Sequence, residues 1–344
     1  MRPPAGELPE LTLGYEVATW IEDSCVVPDR DQTGEPFVLS PEQLRFLLWF
    51  YALDKEGRFA FRRGQLVRPQ KWGKGPLSAA IICAEAAGPV VFDGFDAAGM
   101  PVGRPWATPW IQVVAVSEDQ TDNVWTSLVP MIELGGLAAD IPDTGKTRIN
   151  VRGAGGSAGL IEPVTSAHLS RLGQRLTFAV HDETHAWYSH NGGVKLADTQ
   201  RRNLAGMGGR SLETTNAWDP AEQSVAQMTF EANRADVLID YPEPKPYSIR
   251  NKRERRRALR HAYAGAPWVD IDRIDAEIQL RAAVRRQAAV PVALREPLPD
   301  LACRRVPQQI LVFRRHLRHV DRFGGHGIGG AWALFRALVP VGKK

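Results

Sequence analysis

Two glycine-lysine pairs in this chain could bind phosphate groups. The first, Gly73-Lys74-Gly75, lies after a predicted strand, Gln65 to Val67, and precedes a helix of small residues, Leu77 to Ala87. A glycine loop between a strand and a helix turns backbone N–H groups and the helix N-terminus toward an anion. We therefore expect a phosphate-binding loop here, in which Lys74 reaches the β- and γ-phosphates of a nucleotide.

The second pair, Gly145-Lys146, matches the letters of such a loop more closely because Thr147 comes next. Its surroundings do not fit, since no glycine stands five positions before Gly145 and the next residues, Arg148 to Val151, favour a strand. We interpret residues 145–147 as a turn.

The preferred loop also departs from the usual pattern. Gly75 stands where Ser or Thr normally supplies a hydroxyl to Mg²⁺. From the sequence of this loop alone, Lys74 could equally be a solvated lysine, so its assignment to a phosphate-binding loop depends on the other motifs in the chain.

Two adjacent carboxylates end an apolar predicted strand. The strand Leu176 to Val180 is followed by His181, Asp182 and Glu183. Asp182 at the strand tip can hold Mg²⁺ through water, and Glu183 can polarise an attacking water molecule. Carboxylates at the end of a buried strand cost desolvation energy, which proteins usually offset with a metal or a cation. The alternative is an acidic loop that merely continues from a strand.

The same residues contain two histidines four positions apart, His181 and His185, as in a zinc motif. That motif needs both histidines on one helical face and a glutamate after the first of them. Here Asp182 comes after the first histidine and the preceding residues form a strand, so magnesium is favoured over zinc.

A third predicted strand, Ser211 to Thr215, also ends in polar residues and is followed by Asn216. In P-loop motors with a catalytic glutamate, such a strand lies between the other two, and its terminal Thr or Asn senses the γ-phosphate. Asp119-Gln120, after the predicted strand Ile111 to Val116, is a fourth candidate contact. We expect these strand tips to meet at the carboxyl edge of one sheet, where such folds bind ligands.

The order of elements predicts an α/β fold. Strands alternate with helices, which implies a mostly parallel sheet covered by helices on both faces. A helix is predicted after Ser40, which can cap it. Residues 59–67 are predicted to form two short strands around Arg63-Gly64, and residues 145–165 a hairpin.

Five short segments together resemble one family. They occur in the order and spacing of the ATPase half of bacteriophage large terminases, over about residues 35–240. The most specific of them is Asp182-Glu-Thr-His-Ala-Trp187. The resemblance implies a P-loop NTPase of the RecA-like type with a catalytic glutamate. The five segments are residues 39–43, 68–74, 115–120, 178–187 and 214–216.

The resemblance also assigns roles to residues. Gln43 belongs to the element that contacts adenine, and Arg68 is where the family places an arginine that stabilises transferred charge. The implied metal ligand is Asp182 and the implied catalytic base is Glu183. The nucleotide-binding residues are Gln43, Arg68, Gly73, Lys74 and Gly75, and the coupling residues are Thr214, Thr215 and Asn216.

The activity of the family implies cofactors and partners. The implied cofactors are ATP and Mg²⁺, and the implied activity is ATP hydrolysis that drives double-stranded DNA into a phage prohead. The implied partners are a portal protein and a small terminase subunit. The implied active form is a homo-oligomeric ring that acts in the host cytoplasm and is not a component of the mature virion.

Charge divides the chain unevenly. It has 344 residues and a net charge of +4, but residues 286–344 hold eleven Lys or Arg against three acids. The rest is mildly acidic, so the total charge does not indicate a nucleic-acid partner. We expect an ATPase domain in residues 1–240, a linker and short helical segment in residues 241–285, and an irregular basic tail in residues 286–344.

The predicted tail does not match the nuclease domain that the family carries at its C-terminus. Its acids, Glu296, Asp300 and Asp321, form no carboxylate cluster, so we expect no nuclease activity. The abrupt loss of periodicity near residue 280 is typical of a truncated or out-of-frame gene.

The sequence also bears on the compartment. No apolar run reaches the ~18 residues that span a bilayer, and the N-terminus lacks the apolar core of a signal peptide. The three cysteines, Cys25, Cys83 and Cys303, form neither a CxxC pair nor a disulfide framework. These features predict reduced thiols and no membrane contact.

Two other function classes stay open. The motif of a DExH-type helicase matches Asp182 to His185. Such a helicase needs a second RecA-like lobe of on the order of 100–200 residues. The sequence after residue 240 contains no arginine-rich motif of the kind that closes the two lobes. A non-catalytic subunit that binds nucleotide is favoured by Gly75. ATP turnover with and without duplex DNA separates that subunit from a motor.

Overall fold

A computed structural model describes residues 1–3, 6–145, 147–166, 173–243 and 245–289. Strands and helices alternate through most of this length. The strands are β1 (Arg63–Val67), β2 (Val91–Phe95), β3 (Pro101–Arg104), β4 (Trp110–Ala115), β5 (Asp143–Thr144), β6 (Ile149–Arg152), β7 (Ala158–Thr165), β8 (Phe178–His181), β9 (Arg210–Thr215) and β10 (Val237–Asp240). The helices are α1 (Gly14–Ser24), α2 (Pro41–Phe50), α3 (Lys74–Ala87), α4 (Glu118–Leu134), α5 (Gly193–Ala205), α6 (Val225–Ala232), α7 (Lys252–Ala262) and α8 (Ile271–Ala289).

One large sheet organises the described residues. Its strand order is β10-β1-β9-β8-β4-β7-β6-β5, and the first six strands are parallel to one another. The predicted α/β fold with a mostly parallel sheet is therefore confirmed. β9 lies between β1 and β8, as expected for a coupling strand, so the carboxyl ends of all three strands lie side by side.

Apolar side chains cover both faces of the sheet. On β4, Val113 faces a core shared with α1 to α4, whereas Val114 faces a second core shared with α5 and α6. Successive strand residues point to opposite faces, so a strand that is buried on both sides must be apolar throughout. This explains the continuous apolar runs that predicted these strands.

The helix predicted after Ser40 is confirmed as α2. The Ser40 side chain accepts a hydrogen bond from the Gln43 backbone N–H, and the Gln43 side chain accepts one from the Ser40 N–H. This reciprocal capping box, with Pro41 in the first turn, fixes where the helix begins.

The prediction of two strands in residues 59–67 is wrong. β1 is the one strand there, and Arg63 pairs with both Ser211 of β9 and Val237 of β10. Both edges of β1 are thus occupied, which leaves no edge for a local hairpin. Phe59 instead forms an isolated bridge with Leu53.

The hairpin predicted in residues 145–165 is confirmed by the antiparallel pairing of β6 with β7. β2 and β3 form a separate two-stranded sheet in the glycine- and proline-rich segment after α3. None of the described helices is long and apolar enough to cross a membrane.

The basic segment near residue 250 forms a helix. Asn251 caps α7, whose Ala258 and Leu259 are buried against the rest of the protein. The division into residues 1–240, 241–285 and 286–344 remains a prediction, and most of the third range lies outside the described residues.

Candidate active site at the carboxyl edge of the sheet

The loop between β1 and α3 turns sharply into the helix. β1 ends at Val67, and Gly73 caps α3 with a φ of 98°, in the left-handed region that favours glycine. Lys71 also has a positive φ, 68°. The first backbone N–H groups of α3 have no partner within the helix, so the turn leaves them available to an anion.

Lys74 begins α3 and lies buried beneath the loop. Its Nζ donates to the carbonyls of Arg68 at 2.9 Å and Pro69 at 3.2 Å, and to Asn216 Oδ1 at 2.8 Å. Burial lowers the pKa of Lys74 from 10.5 to about 8, although the charges of Glu183 and Asp182 oppose that shift. The structure thus places the predicted lysine at the meeting point of β1 and β9.

Asp182 comes directly after β8. Its Oδ1 accepts a 2.6 Å hydrogen bond from Thr214 Oγ1, which joins the carboxylate strand to the coupling strand. Burial raises the pKa of Asp182 to about 6, and the neighbouring charge of Glu183 adds to the shift. A carboxyl group that is this difficult to ionise gains from a nearby cation.

Glu183 departs from strand geometry. Its φ of 53° is left-handed, a conformation that costs a residue other than glycine about 1 kcal/mol or more. Strained backbone of this kind clusters at functional sites, and here it falls on the residue directly after Asp182. Such strain is not visible in the sequence.

The end of β9 is tied to the segment after Glu183. Thr215 Oγ1 accepts from the His185 N–H at 3.1 Å, and the Asn216 N–H donates to His185 Nδ1 at 3.4 Å. Burial lowers the pKa of His185 to about 4, so the ring is neutral and can accept this hydrogen bond. The motif had drawn attention to His185 only as a zinc ligand, whereas its contacts are with the coupling residues.

The zinc pattern itself is not formed. His181 lies at the end of β8, and His185 lies in a short 3-10 helix, Thr184–Ala186, so the two do not share a helical face. Within the described ranges, no three or more His, Cys, Asp or Glu side chains are grouped to hold a metal. Mg²⁺ in nucleotide sites does not need such a group, because phosphates and water complete its shell.

Arg68 is engaged elsewhere in this structure. Its Nη2 forms a 2.5 Å ion pair with Asp240 at the end of β10, and its guanidinium lies 5.0 Å from the centre of the Trp72 ring. Neither β10 nor the role of Asp240 could be predicted from the sequence, because a partner 172 residues away leaves no local signal. The role predicted for Arg68 is untested.

Two tryptophans dock the turn between α7 and α8 on the loop. Trp72 is fully buried and donates from Nε1 to the Ala264 carbonyl at 2.7 Å, and Trp268 donates from Nε1 to the Lys71 carbonyl at 3.0 Å. A Cβ added to Gly73 would lie 2.8 Å from the Trp268 ring and 3.7 Å from Gln43 Nε2. The predicted adenine contact Gln43 therefore lies beside the loop, and Trp268 is a neighbour that the sequence did not indicate.

The remaining candidate residues lie in the first turns of α3 and α4 and in the connection between β5 and β6. A Cβ added to Gly75 would meet Asn123 O at 3.4 Å and Ser127 Oγ at 3.6 Å, which are ordinary contacts. The Gly145 N–H donates to the Arg148 carbonyl at 2.9 Å between β5 and β6, and Lys146, the central residue of the predicted turn, lies outside the described residues. Asp119-Gln120 lie in the first turn of α4.

The sheet order, the glycine loop that opens a helix and the position of the carboxylates after β8 define the class of fold, an α/β fold of the RecA-like type with a mostly parallel sheet. No family model matches the chain. The solved large terminase of bacteriophage HK97 superposes on it with a TM-score of 0.59 at 18% identity, over 80% of this chain and 53% of that one. The predicted resemblance to the ATPase half of large terminases is confirmed at the level of the fold.

Two curated relatives come from mycobacteriophages. The Gene 13 protein of phage L5 is 35% identical over 65% of this chain and 41% of its own length. The Gene 13 protein of phage D29 is 32% identical over 64% of this chain and 41% of its own length. The chain thus spans about two fifths of the length of these relatives.

Proposed function

We propose that this chain is an ATP-hydrolysing motor subunit that packages double-stranded DNA into a phage prohead. The observation that carries the proposal is the meeting of three strand ends. Lys74 Nζ donates to Asn216 Oδ1 at 2.8 Å, and Thr214 Oγ1 donates to Asp182 Oδ1 at 2.6 Å. The fold shared with a phage large terminase supports the same conclusion.

The residues at this edge fit ATP and Mg²⁺. Lys74 is a buried ammonium that donates to two carbonyls and one amide oxygen, so its bonded partners carry no negative charge. A phosphate would compensate that charge, and a cation beside Asp182 would lower its raised pKa. When bound, the nucleotide supplies the phosphoryl group and Mg²⁺ neutralises the charge on it.

In this proposal Lys74 and the N-terminus of α3 orient the phosphates, as a Walker A loop does. Asp182 holds the metal and Glu183, next to it, accepts a proton from the attacking water, as a Walker B pair does. Thr214, Thr215 and Asn216 sense whether the γ-phosphate is present, because Asn216 contacts Lys74, Thr214 contacts Asp182, and Thr215 lies between them in β9.

Two further assignments rest on the resemblance. Gln43 contacts adenine, which agrees with its place beside Gly73. Arg68 stabilises charge on the transferred phosphoryl group, and for that its guanidinium has to leave Asp240.

The partners are also part of the proposal. They are double-stranded DNA, a portal protein, a small terminase subunit and further copies of this chain in a ring, with the host cytoplasm as the place of action. The Gene 13 relatives are more than twice as long as the matched region, so their remaining length can hold activities that this chain need not carry.

The experiment is ATP turnover by the full chain with and without duplex DNA. The proposal predicts hydrolysis that duplex DNA stimulates. The second candidate is a nucleotide-binding subunit without turnover, which Gly75 favours because it removes the usual hydroxyl ligand of Mg²⁺. ATP binding with no hydrolysis in either condition would support that candidate and contradict the motor.

A further inference from the structure

α7 carries arginines that the fold does not use. Arg255 forms a buried ion pair with Asp275 of α8 at 2.5 Å, and Arg256 pairs with Asp272. Arg253, Arg257 and Arg260 are exposed instead, and we find no ion pair for them in the described part of the chain. α8 thus neutralises two of the arginines of α7 and leaves three to solvent.

The three exposed arginines lie on one face of the helix. Their spacing of four and three residues places them in a single row, opposite the buried Ala258 and Leu259. Seven residues of helix rise about 10 Å, which is about three intervals between successive phosphates at about 3.4 Å per nucleotide on one DNA strand. The row is therefore long enough to lie along several phosphates of one strand.

Carboxylates do not interrupt this row. Glu254 is the acid within α7, and its Oε2 accepts a 2.6 Å hydrogen bond from the Ser248 N–H at the start of the helix. Residues 286–344 hold eleven Lys or Arg against three acids, which exceeds the net charge of +4, so residues 1–285 are acidic in sum. A basic row on an acidic body attracts a polyanion locally.

The composition of the face distinguishes between kinds of partner. Protein interfaces have an apolar or aromatic centre, and single-stranded nucleic acid is bound by stacked aromatic rings. The exposed face of α7 offers neither, and Trp268, in the segment between α7 and α8, lies against Gly73 of the loop. The phosphate backbone of a duplex is bound by cationic side chains and does not require aromatic rings.

We propose that Arg253, Arg257 and Arg260 on α7 form a contact surface for the phosphate backbone of duplex DNA. This inference rests on the proposed function, which supplies DNA as the partner. The position of the helix is relevant to a motor, because Trp72 of the phosphate-binding loop donates a hydrogen bond to the Ala264 carbonyl in the turn after α7.

The test measures the binding of a short mixed-sequence duplex to the full chain without nucleotide, over a series of salt concentrations. The triple variant Arg253→Gln, Arg257→Gln and Arg260→Gln should bind at least about tenfold more weakly. Its slope of log affinity against log salt should fall by about 2.7, which is about 0.9 for each lost phosphate contact. Arg→Lys at the same positions should restore most of the binding.

The matched control removes the same charge elsewhere, with Lys55→Gln, Lys195→Gln and Arg202→Gln, all exposed residues away from α7. It should bind the duplex almost as the wild type does. Equal weakening in the two triple variants would show a general charge effect and overturn the inference, as would wild-type affinity in the α7 variant. If the unmodified chain fails to bind duplex DNA at all, the proposed function fails as well, which separates the two failures.

Discussion

At the scale of single residues, the cost of burying Lys74 is the clearest sign of function. The ammonium group gives up water for two carbonyls and an amide, and its pKa falls to about 8. A side chain kept only for stability would not carry this penalty, so we relate it to a bound phosphate.

This penalty predicts a pH dependence. The pKa of Lys74 is lower in the folded chain than its unfolded value of 10.5, so the charged form of Lys74 at neutral pH lowers the free energy of unfolding. This lost free energy is regained as the pH rises from about 8 through 10.5. Relative to Lys74→Met, the free energy of unfolding of the wild type should therefore rise by about 3 kcal/mol between pH 7 and pH 10.5. Denaturant titrations without nucleotide measure it, and parallel curves for the two proteins would contradict the assignment.

The same substitution should abolish nucleotide binding. Lys146→Met is the matched control, because Lys146 belongs to the other glycine-lysine pair and lies outside the described residues. ATP affinity lost in the Lys146 variant and kept in the Lys74 variant would mean that the wrong pair was chosen.

Gly75 leads to a gain-of-function prediction. There is room for a Cβ, with Asn123 O at 3.4 Å and Ser127 Oγ at 3.6 Å. Gly75→Ser should return the hydroxyl that usually binds Mg²⁺ and raise the turnover number several-fold. Gly136→Ser, at a glycine with open space around it, is the control that should change nothing. An unchanged turnover number in Gly75→Ser would show that the metal does not need this hydroxyl.

At the scale of elements, the sequence predicted what local patterns determine. The Ser40 helix cap and the apolar run before Asp182 are local patterns, and the structure confirms both elements. The order of β1, β9 and β8 was also predicted, because in P-loop motors with a catalytic glutamate the strand that ends in Thr or Asn lies between the other two.

Features that depend on distant pairing were not predicted. Residues 59–67 were expected to form two short strands, whereas β1 is the one strand there and β9 and β10 occupy both of its edges. Asp240 had no local signal as a partner of Arg68, and Trp268 reaches the loop from 197 residues away. The positive φ of Glu183 could not be predicted either, because glutamate rarely adopts it.

The contact of Trp268 with the loop predicts an effect on nucleotide affinity. Its ring lies against Gly73 and its Nε1 holds the Lys71 carbonyl, so Trp268→Ala should loosen the loop and weaken ATP binding about three- to tenfold. The ring is 41% exposed, so stability should change little. Phe95→Ala removes a comparably exposed ring, 44%, from the β2–β3 hairpin and should leave ATP affinity unchanged. Equal affinities in all three proteins would mean that Trp268 does not support the loop.

At the scale of the whole molecule, four elements meet at one loop. β1 and α3 present Lys74, α2 presents Gln43 beside Gly73, and the turn after α7 binds the loop through Trp72 and Trp268. A contact on α7 is therefore connected to the loop between β1 and α3 through the packed side chains of Trp72 and Trp268. This layout suits a chain in which ATP turnover responds to a partner.

The proposed role of Glu183 as the base of an ATPase can be tested by the kinetics of a single variant. ATP affinity and turnover are measured for the full chain and for Glu183→Gln, each with duplex DNA. We expect Glu183→Gln to bind ATP as the wild type does and to hydrolyse it at least about 100-fold more slowly, because the general base is lost while the phosphate contacts of Lys74 remain. A turnover number equal to that of the wild type in Glu183→Gln would show that Glu183 is not the general base.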